Sequence, residues 1–266
     1  MTLLQAVILA FLQGVTEFFP VSSSGHLVIL QHLFGLQEPQ ILFDTLLHTG
    51  TALALLVYLR HELFQMIAAL IRFRQREVHP EDTEALRLLG HLIIATFPIV
   101  IIGYLGSDFF ERLFVSLRTV GVALMGTAIF LFLTKKTQPR QATETAGQAF
   151  IIGLLQAAAI VPGLSRSGLT IGGGLYLGLP RERAARFSYL LSLPAILGAS
   201  LYQLVKQGGL KNNNELYIYL IALVLATLVG YLALVFLTRL VKEGKFYLFS
   251  IYCFGLGLLV FLFSIW

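Results

Sequence analysis

Two short polar phrases interrupt apolar stretches of this chain, and together they hold residue types that could act on an oxyanion. The first, residues 13–26, contains one carboxylate, three consecutive serines and a histidine: Glu17, Ser22, Ser23, Ser24 and His26. The second places Arg166 between Ser165 and Ser167. Arginine holds oxyanions through paired hydrogen bonds, and serine, histidine and glutamate are common nucleophiles and proton carriers. We therefore predict a polar site that needs both phrases.

The two phrases are copies of one pattern. Five residues recur at a constant spacing: Leu12, Gln13, Ser22, Ser24 and Gly25 in the first copy, and Leu155, Gln156, Ser165, Ser167 and Gly168 in the second. Each copy also has a proline near the break, Pro20 or Pro162. Paired apolar segments that are interrupted in corresponding halves indicate a site near the middle of a membrane protein.

Each polar group also has a structural alternative. An unpaired carboxylate in an apolar stretch costs several kcal/mol, so Glu17 should face a cavity. A neutral glutamic acid that fixes the turn, or an ion pair with Arg166 without any ligand, remains open. The serines could bind an anion at a helix N-terminus or simply cap the helix. His26 suits acid–base chemistry near neutral pH, with a structural histidine as the alternative.

A second set of polar residues within apolar stretches receives a weaker assignment. Asp44 and His48 are four residues apart, on one face of a helix, and could at best support the site. Hydrogen bonds between packed helices are the simpler role for both residues and for His91. Cys253, the single cysteine, is expected to be a small packed hydrophobe.

The composition defines the class of protein. Hydrophobic residues make up 57% of the 266 residues, charged residues 12%, and the mean hydropathy is +0.81. Soluble domains carry about 25% charged residues, so this chain could not cover a surface exposed to water. It is therefore expected to be an integral membrane protein, and its net charge of +5 is attributed to topology rather than to nucleic acid binding.

The apolar stretches predict an all-α membrane fold. Six of them can cross about 30 Å of hydrocarbon; they cover about residues 41–59, 88–106, 117–134, 187–205, 216–238 and 246–266. Residues 1–36 and 148–180 are broken by serine- and glycine-rich turns, so we predict re-entrant helix–loop–helix hairpins there. A hairpin followed by three spans occurs twice, which predicts inverted-topology repeats over 1–137 and 148–266, with a linker over 138–147.

Lysine and arginine residues predict the orientation. Of the 19, 14 lie in four segments assigned to one face (60–87, 135–147, 181–186 and 239–245), and 4 lie at the other: Arg112, Arg118, Lys206 and Lys211. Basic loops stay cytoplasmic, so both termini and the mouth of the first hairpin are expected outside. Residues 60–87 are expected to be a loop, solvated from Arg72 to Glu84, and Asn212–Asn214 an external turn.

Both polar phrases resemble motifs of a known family. Residues 13–26 read Gln-Gly-Val-Thr-Glu-Phe-Phe-Pro-Val-Ser-Ser-Ser-Gly-His and resemble the first motif of the undecaprenyl-diphosphate phosphatases, the bacitracin-resistance family. Pro162–Thr170 resembles that family's second motif, and length and motif spacing agree over essentially the whole chain. Gln13 stands where some members have glutamate, which leaves Glu17 as the carboxylate of this hairpin.

The resemblance implies a reaction and a set of site residues. The reaction is removal of the terminal phosphate from undecaprenyl diphosphate at the outer face of the bacterial cytoplasmic membrane, which recycles the cell-wall lipid carrier and confers bacitracin resistance. Catalysis is assigned to Glu17, Ser23, His26 and Arg166, and a divalent cation (Mg²⁺ or Ca²⁺) is implied, with Glu17 as its candidate ligand. The neighbouring residues are expected to bind substrate: Gln13, Ser22, Ser24, Gly25, Ser165, Ser167, Gly168 and Thr170.

Several alternatives stay open. Either Ser23 or a water molecule could attack phosphorus. The expected partners are the polyprenyl diphosphate and membrane lipids rather than nucleic acid, with a homodimer left open. A transporter or flippase for a phosphorylated polyprenyl lipid is the alternative function, because inverted repeats with broken helices are common in transporters. A lipid-binding scaffold without catalysis is a third.

Overall fold

All of the regular structure in the described chain is helical. The computed structural model describes residues 1–36, 40–77, 79–80, 82–140, 142–207 and 216–265, so the expected turn at Asn212–Asn214 lies outside the described residues. The described part contains two short 3-10 turns, Thr134–Lys136 and Phe246–Leu248, and twelve α-helices: α1 (Leu3–Thr16), α2 (Ser23–Leu33), α3 (Ile41–Tyr58), α4 (Arg60–Gln75), α5 (Asp82–Leu105), α6 (Ser107–Leu113), α7 (Leu117–Leu133), α8 (Ala146–Ala158), α9 (Arg166–Tyr176), α10 (Arg181–Gln207), α11 (Leu216–Lys242) and α12 (Phe249–Phe263).

Six helices in the described part of the chain are long and apolar enough to cross a membrane, which confirms the six expected spans. They are α3, α5, α7, α10, α11 and α12, where α7 is taken with the 3-10 turn that follows it and α12 with the one that precedes it. Much of their apolar surface is exposed, for example at Ile93, Phe97 and Val100 of α5, as expected of helices that face lipid. The apolar helices α1 and α8 have 14 and 13 residues, so each is only about 20 Å long and cannot cross alone.

The two short helix pairs, α1–α2 and α8–α9, begin in the same way. Thr2 accepts a hydrogen bond from the backbone N–H of Gln5, and the Gln5 side chain accepts one from the backbone of Thr2. Thr145 and Gln148 form the same capping box at the start of α8. Such boxes satisfy the free N–H groups of the first turn. The repeat seen in the sequence therefore extends to the first residues of both pairs.

The expectation of a loop over residues 60–87 is wrong. Arg60–Gln75 forms α4, and α5 begins at Asp82. Arginine, glutamate and glutamine are good helix formers, and α4 buries Met66 and Ala69 while Arg60 and Arg74 stay exposed. Arg72 Nε donates to Asp82 Oδ2 at 2.8 Å and closes the turn between the two helices. Residues 181–186, one of the four basic segments, likewise form the start of α10 rather than a loop.

Helix packing brings the two interrupted segments together. Helix α1 packs on α11 and α8 packs on α5, while α3 contacts α10 and α7 contacts α12. The α8–α5 contact is close enough that a Cβ on Gly153 would lie 2.3 Å from the carbonyl oxygen of Ala95. At the loops, a Cβ on Gly25 would lie 3.0 Å from Cα of Gly163. The α1–α2 and α8–α9 loops are therefore in direct contact.

Candidate active site

Ser22 joins the two loops. Its Oγ accepts a hydrogen bond from the backbone N–H of Gly25 at 3.2 Å, which caps α2, and another from the N–H of Gly163 at 3.1 Å. Ser22 has a φ of 67°, in the left-handed region that non-glycine residues rarely occupy. Thr127 of α7 holds the second loop, since its Oγ1 donates to the carbonyl of Gly163 and accepts from the N–H of Ser165. The junction is fixed from both sides.

The second loop repeats this capping. Ser165 Oγ accepts from the N–H of Gly168 at 3.1 Å, and Ser167 Oγ donates to the carbonyl oxygen of Phe19 at 3.0 Å. Thr170 Oγ1 lies 2.6 Å from the hydroxyl of Ser188 on α10. Ser165 therefore caps α9, while Ser167 and Thr170 tie the α8–α9 pair to neighbouring elements. Capping is the structural role that the sequence left open for serine.

Glu17 forms the centre of the junction and is almost fully buried. Its Oε2 accepts from Ser23 Oγ at 2.5 Å and from Gln13 Nε2 at 2.8 Å. Its Oε1 accepts from Nη2 of Arg166, which forms an ion pair across the two loops. The carboxylate therefore holds a serine hydroxyl with one oxygen and an arginine with the other. Both polar phrases contribute to this one cluster.

His48 of α3 also contacts Glu17, a role that the sequence reasoning underestimated. Its Nδ1 lies 3.1 Å from Glu17 Oε2 and 2.9 Å from Gln13 Nε2. Asp44, one turn earlier, lines the same cavity and accepts from Gln31 Nε2 at 2.7 Å. The spacing of Asp44 and His48 was the available signal. His91 lies elsewhere, with its Nδ1 3.2 Å from Glu144.

His26 faces away from this cluster. Its Nδ1 lies 2.7 Å from the carbonyl oxygen of Ser22, and its Nε2 lies 2.7 Å from the hydroxyl of Tyr252 on α12. The imidazole also stacks on the Tyr252 ring at a centroid distance of 5.7 Å. Since both ring nitrogens are engaged, His26 holds the strained backbone of Ser22 in place. Nothing in the sequence pattern pointed to Tyr252.

The cluster opens into a cavity of about 630 Å³. Glu17, Ser23, His48 and Arg166 line one part of its wall. Apolar side chains supply much of the remainder, from α2, α5, α10 and the loops near α6 and α8: Val28, Ile99, Phe114, Ile160, Leu164 and Ile196. A ligand with one charged end and an apolar body matches this division of the wall.

The residues expected to bind substrate fall into two groups. Ser22, Ser24 and Ser165 line the cavity. Among the described residues on the cavity wall, Gln13, Gly25, Ser167, Gly168 and Thr170 do not occur. Gln13 contacts Glu17 instead, and the other four make hydrogen bonds that support the loops and the start of α9. His32, which had no assigned role in the sequence reasoning, also lines the cavity.

The arrangement is suited to binding an anion. Ser23 and Arg166 are the first residues of α2 and α9, so the positive ends of two helix dipoles meet at the cluster. Nη1 of Arg166 is buried and has no hydrogen-bond partner among the described residues. An unpartnered guanidinium nitrogen there is available to a phosphate oxygen.

A divalent cation could be held here only in part by the protein. The described residues contain no group of three or more histidine, cysteine or acidic side chains that could hold a metal ion. Glu17 is a single carboxylate whose two oxygens already accept hydrogen bonds. Mg²⁺ is often bound by one or two carboxylates together with substrate phosphates and water. Glu17 fits a cation in that way, as one ligand beside the oxygens of a bound diphosphate.

Comparison with known proteins gives a consistent result. The family described as bacitracin resistance protein BacA matches residues 6–259. An undecaprenyl-diphosphatase of Desulfosudis oleivorans is 44% identical, with 96% of each chain covered. Undecaprenyl-diphosphatases of Desulforapulum autotrophicum and Methanobrevibacter smithii are 41% and 38% identical, covering 97% and 100% of this chain and 97% and 99% of their own.

Proposed function

This chain belongs to the bacitracin resistance protein BacA family, and from that membership we propose that it hydrolyses undecaprenyl diphosphate to undecaprenyl phosphate and inorganic phosphate. The product is the lipid carrier that cell-wall synthesis reuses. Bacitracin resistance accords with the same activity.

One observation carries the proposal. A serine hydroxyl lies 2.5 Å from a buried carboxylate whose other oxygen is paired with an arginine, and all three line a cavity with extensive apolar walls. The serine hydroxyl can act as nucleophile, the Glu17 carboxylate as base and the Arg166 guanidinium as the positive group that holds phosphate. These are the groups that phosphoryl transfer to serine requires. The apolar walls suit a polyprenyl chain.

The geometry supports a mechanism with Ser23 as the nucleophile. Arg166 and the backbone N–H groups at the starts of α2 and α9 hold the terminal phosphate and stabilise the charge that develops on it. Ser23 Oγ attacks the terminal phosphorus while its proton passes to Glu17. The bond from that phosphorus to the bridging oxygen breaks, and undecaprenyl phosphate leaves.

The second half of the reaction restores the site. Water attacks the phosphoseryl group, inorganic phosphate leaves, and Ser23 Oγ recovers a proton. Glu17, in hydrogen-bond contact with Ser23, is better placed than His26 to move both protons. A cation beside Glu17 would neutralise diphosphate charge. Direct attack by water, with Ser23 binding phosphate, is the alternative mechanism.

The membrane arrangement belongs to the same proposal. The α1–α2 and α8–α9 pairs are re-entrant hairpins, and the two halves are inverted repeats. Taken in order, α1, α3, α5 and α7 of the first half correspond to α8, α10, α11 and α12 of the second. Helix packing supports this, because the α1–α11 and α8–α5 contacts are then equivalent. The α3–α10 and α7–α12 contacts each join a helix to its own counterpart. The basic segments face the cytoplasm, so the active site opens outward.

Phosphate release by the purified protein tests the function. Detergent-solubilised protein should release inorganic phosphate from undecaprenyl diphosphate, whereas a flippase need not break any bond. Ser23→Ala should reduce kcat by about a thousandfold or more, since the attacking atom is lost, while substrate binding is largely kept.

Ser24→Ala is the matched control for this variant. Ser24 also lines the cavity, but its Oγ lies 3.3 Å from Ser22 Oγ rather than on Glu17. The control should retain most of its activity. A Ser23→Ala enzyme within about tenfold of wild type, about 1.4 kcal/mol on the barrier, would exclude the serine nucleophile in favour of water.

A further inference from the structure

A second cavity of about 460 Å³ lies on the apolar surface formed by α4, α5 and α10. Its wall is almost wholly apolar and includes Leu63, Leu92, Phe97, Val100 and Leu193. The polar exception is Thr96, whose hydroxyl already donates to the carbonyl of Leu92 at 2.7 Å. Hydrocarbon could therefore fill this groove without burying an unsatisfied polar group.

The groove continues the active-site cavity along the seam between α5 and α10. On α5, Thr96 and Val100 line the groove and Ile99 lines the active-site cavity. On α10, Pro194 lines the groove and the adjacent Ala195 lines the cavity. The wall residues of the two cavities thus adjoin on α5, where Ile99 lies between groove residues, and follow one another along α10. From Gln203 to Leu190 of α10 the combined path is about 20 Å long.

The seam is also open towards the surrounding hydrocarbon. Phe97 and Val100 are about 60% exposed although they line the groove. On the α10 side the residues are small: a Cβ on Gly198 would have no heavy atom within 4 Å, and Ala199 is exposed. A chain could leave the active-site cavity sideways here, between the two helices.

We propose that this groove, lined by Leu63, Leu92, Thr96, Phe97, Val100 and Leu193, binds the polyprenyl tail of the substrate whose diphosphate lies at Glu17 and Arg166. The inference rests on the proposed function. A cavity of 630 Å³ cannot enclose a C55 lipid, so the tail must leave it through an apolar exit. The groove can serve as such an exit, because its lining residues Val100 and Pro194 are next to the cavity residues Ile99 and Ala195.

The groove also gives a reason for selectivity by chain length. A bulk membrane acyl chain in the groove has no headgroup bound at the active site. A substrate tail in the groove is tethered to the diphosphate, so each isoprene unit buried there adds to the binding free energy. A short polyprenyl diphosphate would fill the active-site cavity but not reach the groove.

Site-specific photo-crosslinking tests the path of the tail. The photoreactive phenylalanine analogue p-benzoylphenylalanine would replace Phe97 in the groove or, as the control, Phe132 of α7, which is 58% exposed and does not line either cavity. The protein is reconstituted in phosphatidylglycerol vesicles with radiolabelled undecaprenyl diphosphate, in the Ser23→Ala background so that substrate persists. Labelling should occur at position 97, be displaced by unlabelled substrate, and be absent at 132. Equal labelling at both positions would mean bulk-lipid contact only and would overturn the proposal.

Kinetics with two substrates provide a second test. Phe97→Ala should lower kcat/KM for the C55 diphosphate by about fivefold, through lost apolar contact, and leave that for a C15 diphosphate nearly unchanged. Phe132→Ala removes an equally exposed ring and should not change the C55-to-C15 ratio. An unchanged ratio in Phe97→Ala would rule out the groove as the tail site. Failure of the wild-type protein to hydrolyse either substrate would instead contradict the proposed function.

Discussion

At the scale of the residue, the site depends on how the two oxygens of Glu17 are shared. One oxygen accepts from Ser23 and Gln13 and lies 3.1 Å from His48 Nδ1, and the other accepts from Arg166. Arg166 thereby fixes the carboxylate while keeping Nη1 without a partner among the described residues. Because a lysine offers a single point charge, it could not hold Glu17 and a phosphate oxygen in this planar arrangement. The identity of each group, and not only its charge, determines the geometry.

His48 should act as a positioning residue for Glu17. His48→Ala should lower kcat by about tenfold with a smaller change in KM, because Glu17 loses a partner on the oxygen that holds Ser23. His48→Gln, which can still donate a hydrogen bond, should recover most of the loss. His32→Ala is the control, since His32 lines the same cavity near the end of α2, whereas Ser23 is at the start of that helix. Equal effects of the alanine and glutamine variants would contradict the positioning role.

At the scale of the element, the two short helix pairs are held by close helix contacts and by buried ion pairs. The α8–α5 contact leaves no room at Gly153, whereas a Cβ on Gly147, at the start of the same helix, would meet no heavy atom within 4 Å. Just before α8, Glu144 pairs with Arg183 of α10 and lies 3.2 Å from His91 of α5. The close α8–α5 contact and the ion pair together fix the position at which the α8–α9 loop holds Arg166.

Gly153→Ala should destabilise the protein by about 1–3 kcal/mol, because the added methyl group overlaps the backbone of Ala95. Gly147→Ala is the matched control on the same helix, and there alanine should be neutral or slightly stabilising. Thermal unfolding in detergent, followed by circular dichroism, measures both. Similar melting temperatures for the two variants would show that α8 and α5 pack less closely than described.

Glu144 should be the more important of two carboxylates that share Arg183. Its oxygens accept from Arg183 at 2.9 and 3.2 Å and lie 3.2 Å from His91, whereas Glu84 is largely exposed. Glu144→Gln should destabilise by up to about 3 kcal/mol, since it removes the buried partner of the partly buried Arg183 and leaves that arginine with only the exposed Glu84. Glu84→Gln should cost at most about 1 kcal/mol. The same unfolding measurement ranks them, and a larger effect of Glu84→Gln would contradict this assignment.

The sign of the pH dependence at Glu144 follows from its surroundings. Burial alone would raise the pKa of Glu144, but the hydrogen bonds from Arg183 and His91 outweigh burial and hold that pKa below its ordinary value. The stability that this group contributes is therefore present above about pH 4.3, the unfolded value, and is lost as the pH falls through the folded pKa.

At the scale of the whole molecule, orientation decides which side of the membrane the site serves. Of the 19 lysine and arginine residues, 14 belong to segments that we assign to the cytoplasmic face. Cys253 is buried and donates to the carbonyl of Pro20, and it is the single cysteine, so replacing it removes every native thiol. That allows a direct labelling test of the termini.

Single cysteines added beside Met1 and Trp266, in a Cys253→Ser protein, should react with a membrane-impermeant thiol reagent in intact spheroplasts. Because basic segments are generally retained in the cytoplasm, we expect both ends to lie outside. Arg74→Cys, on the opposite face, is the control and should react only after lysis. Termini that react only after lysis would reverse the orientation and move the mouth of the active site inside.

The sequence by itself determined the six spans, the helical class and the residues of the two phrases. These are local properties: the length of an apolar run decides whether a helix can span, and a serine caps the helix that follows it. Only the tertiary structure decided that His48 joins Glu17, that His26 turns to Tyr252, and that α4 is a helix with a buried face. It also created the groove between α5 and α10. Each of these depends on which distant segments become neighbours, and that is set by how helices pack rather than by the residues beside them in the chain.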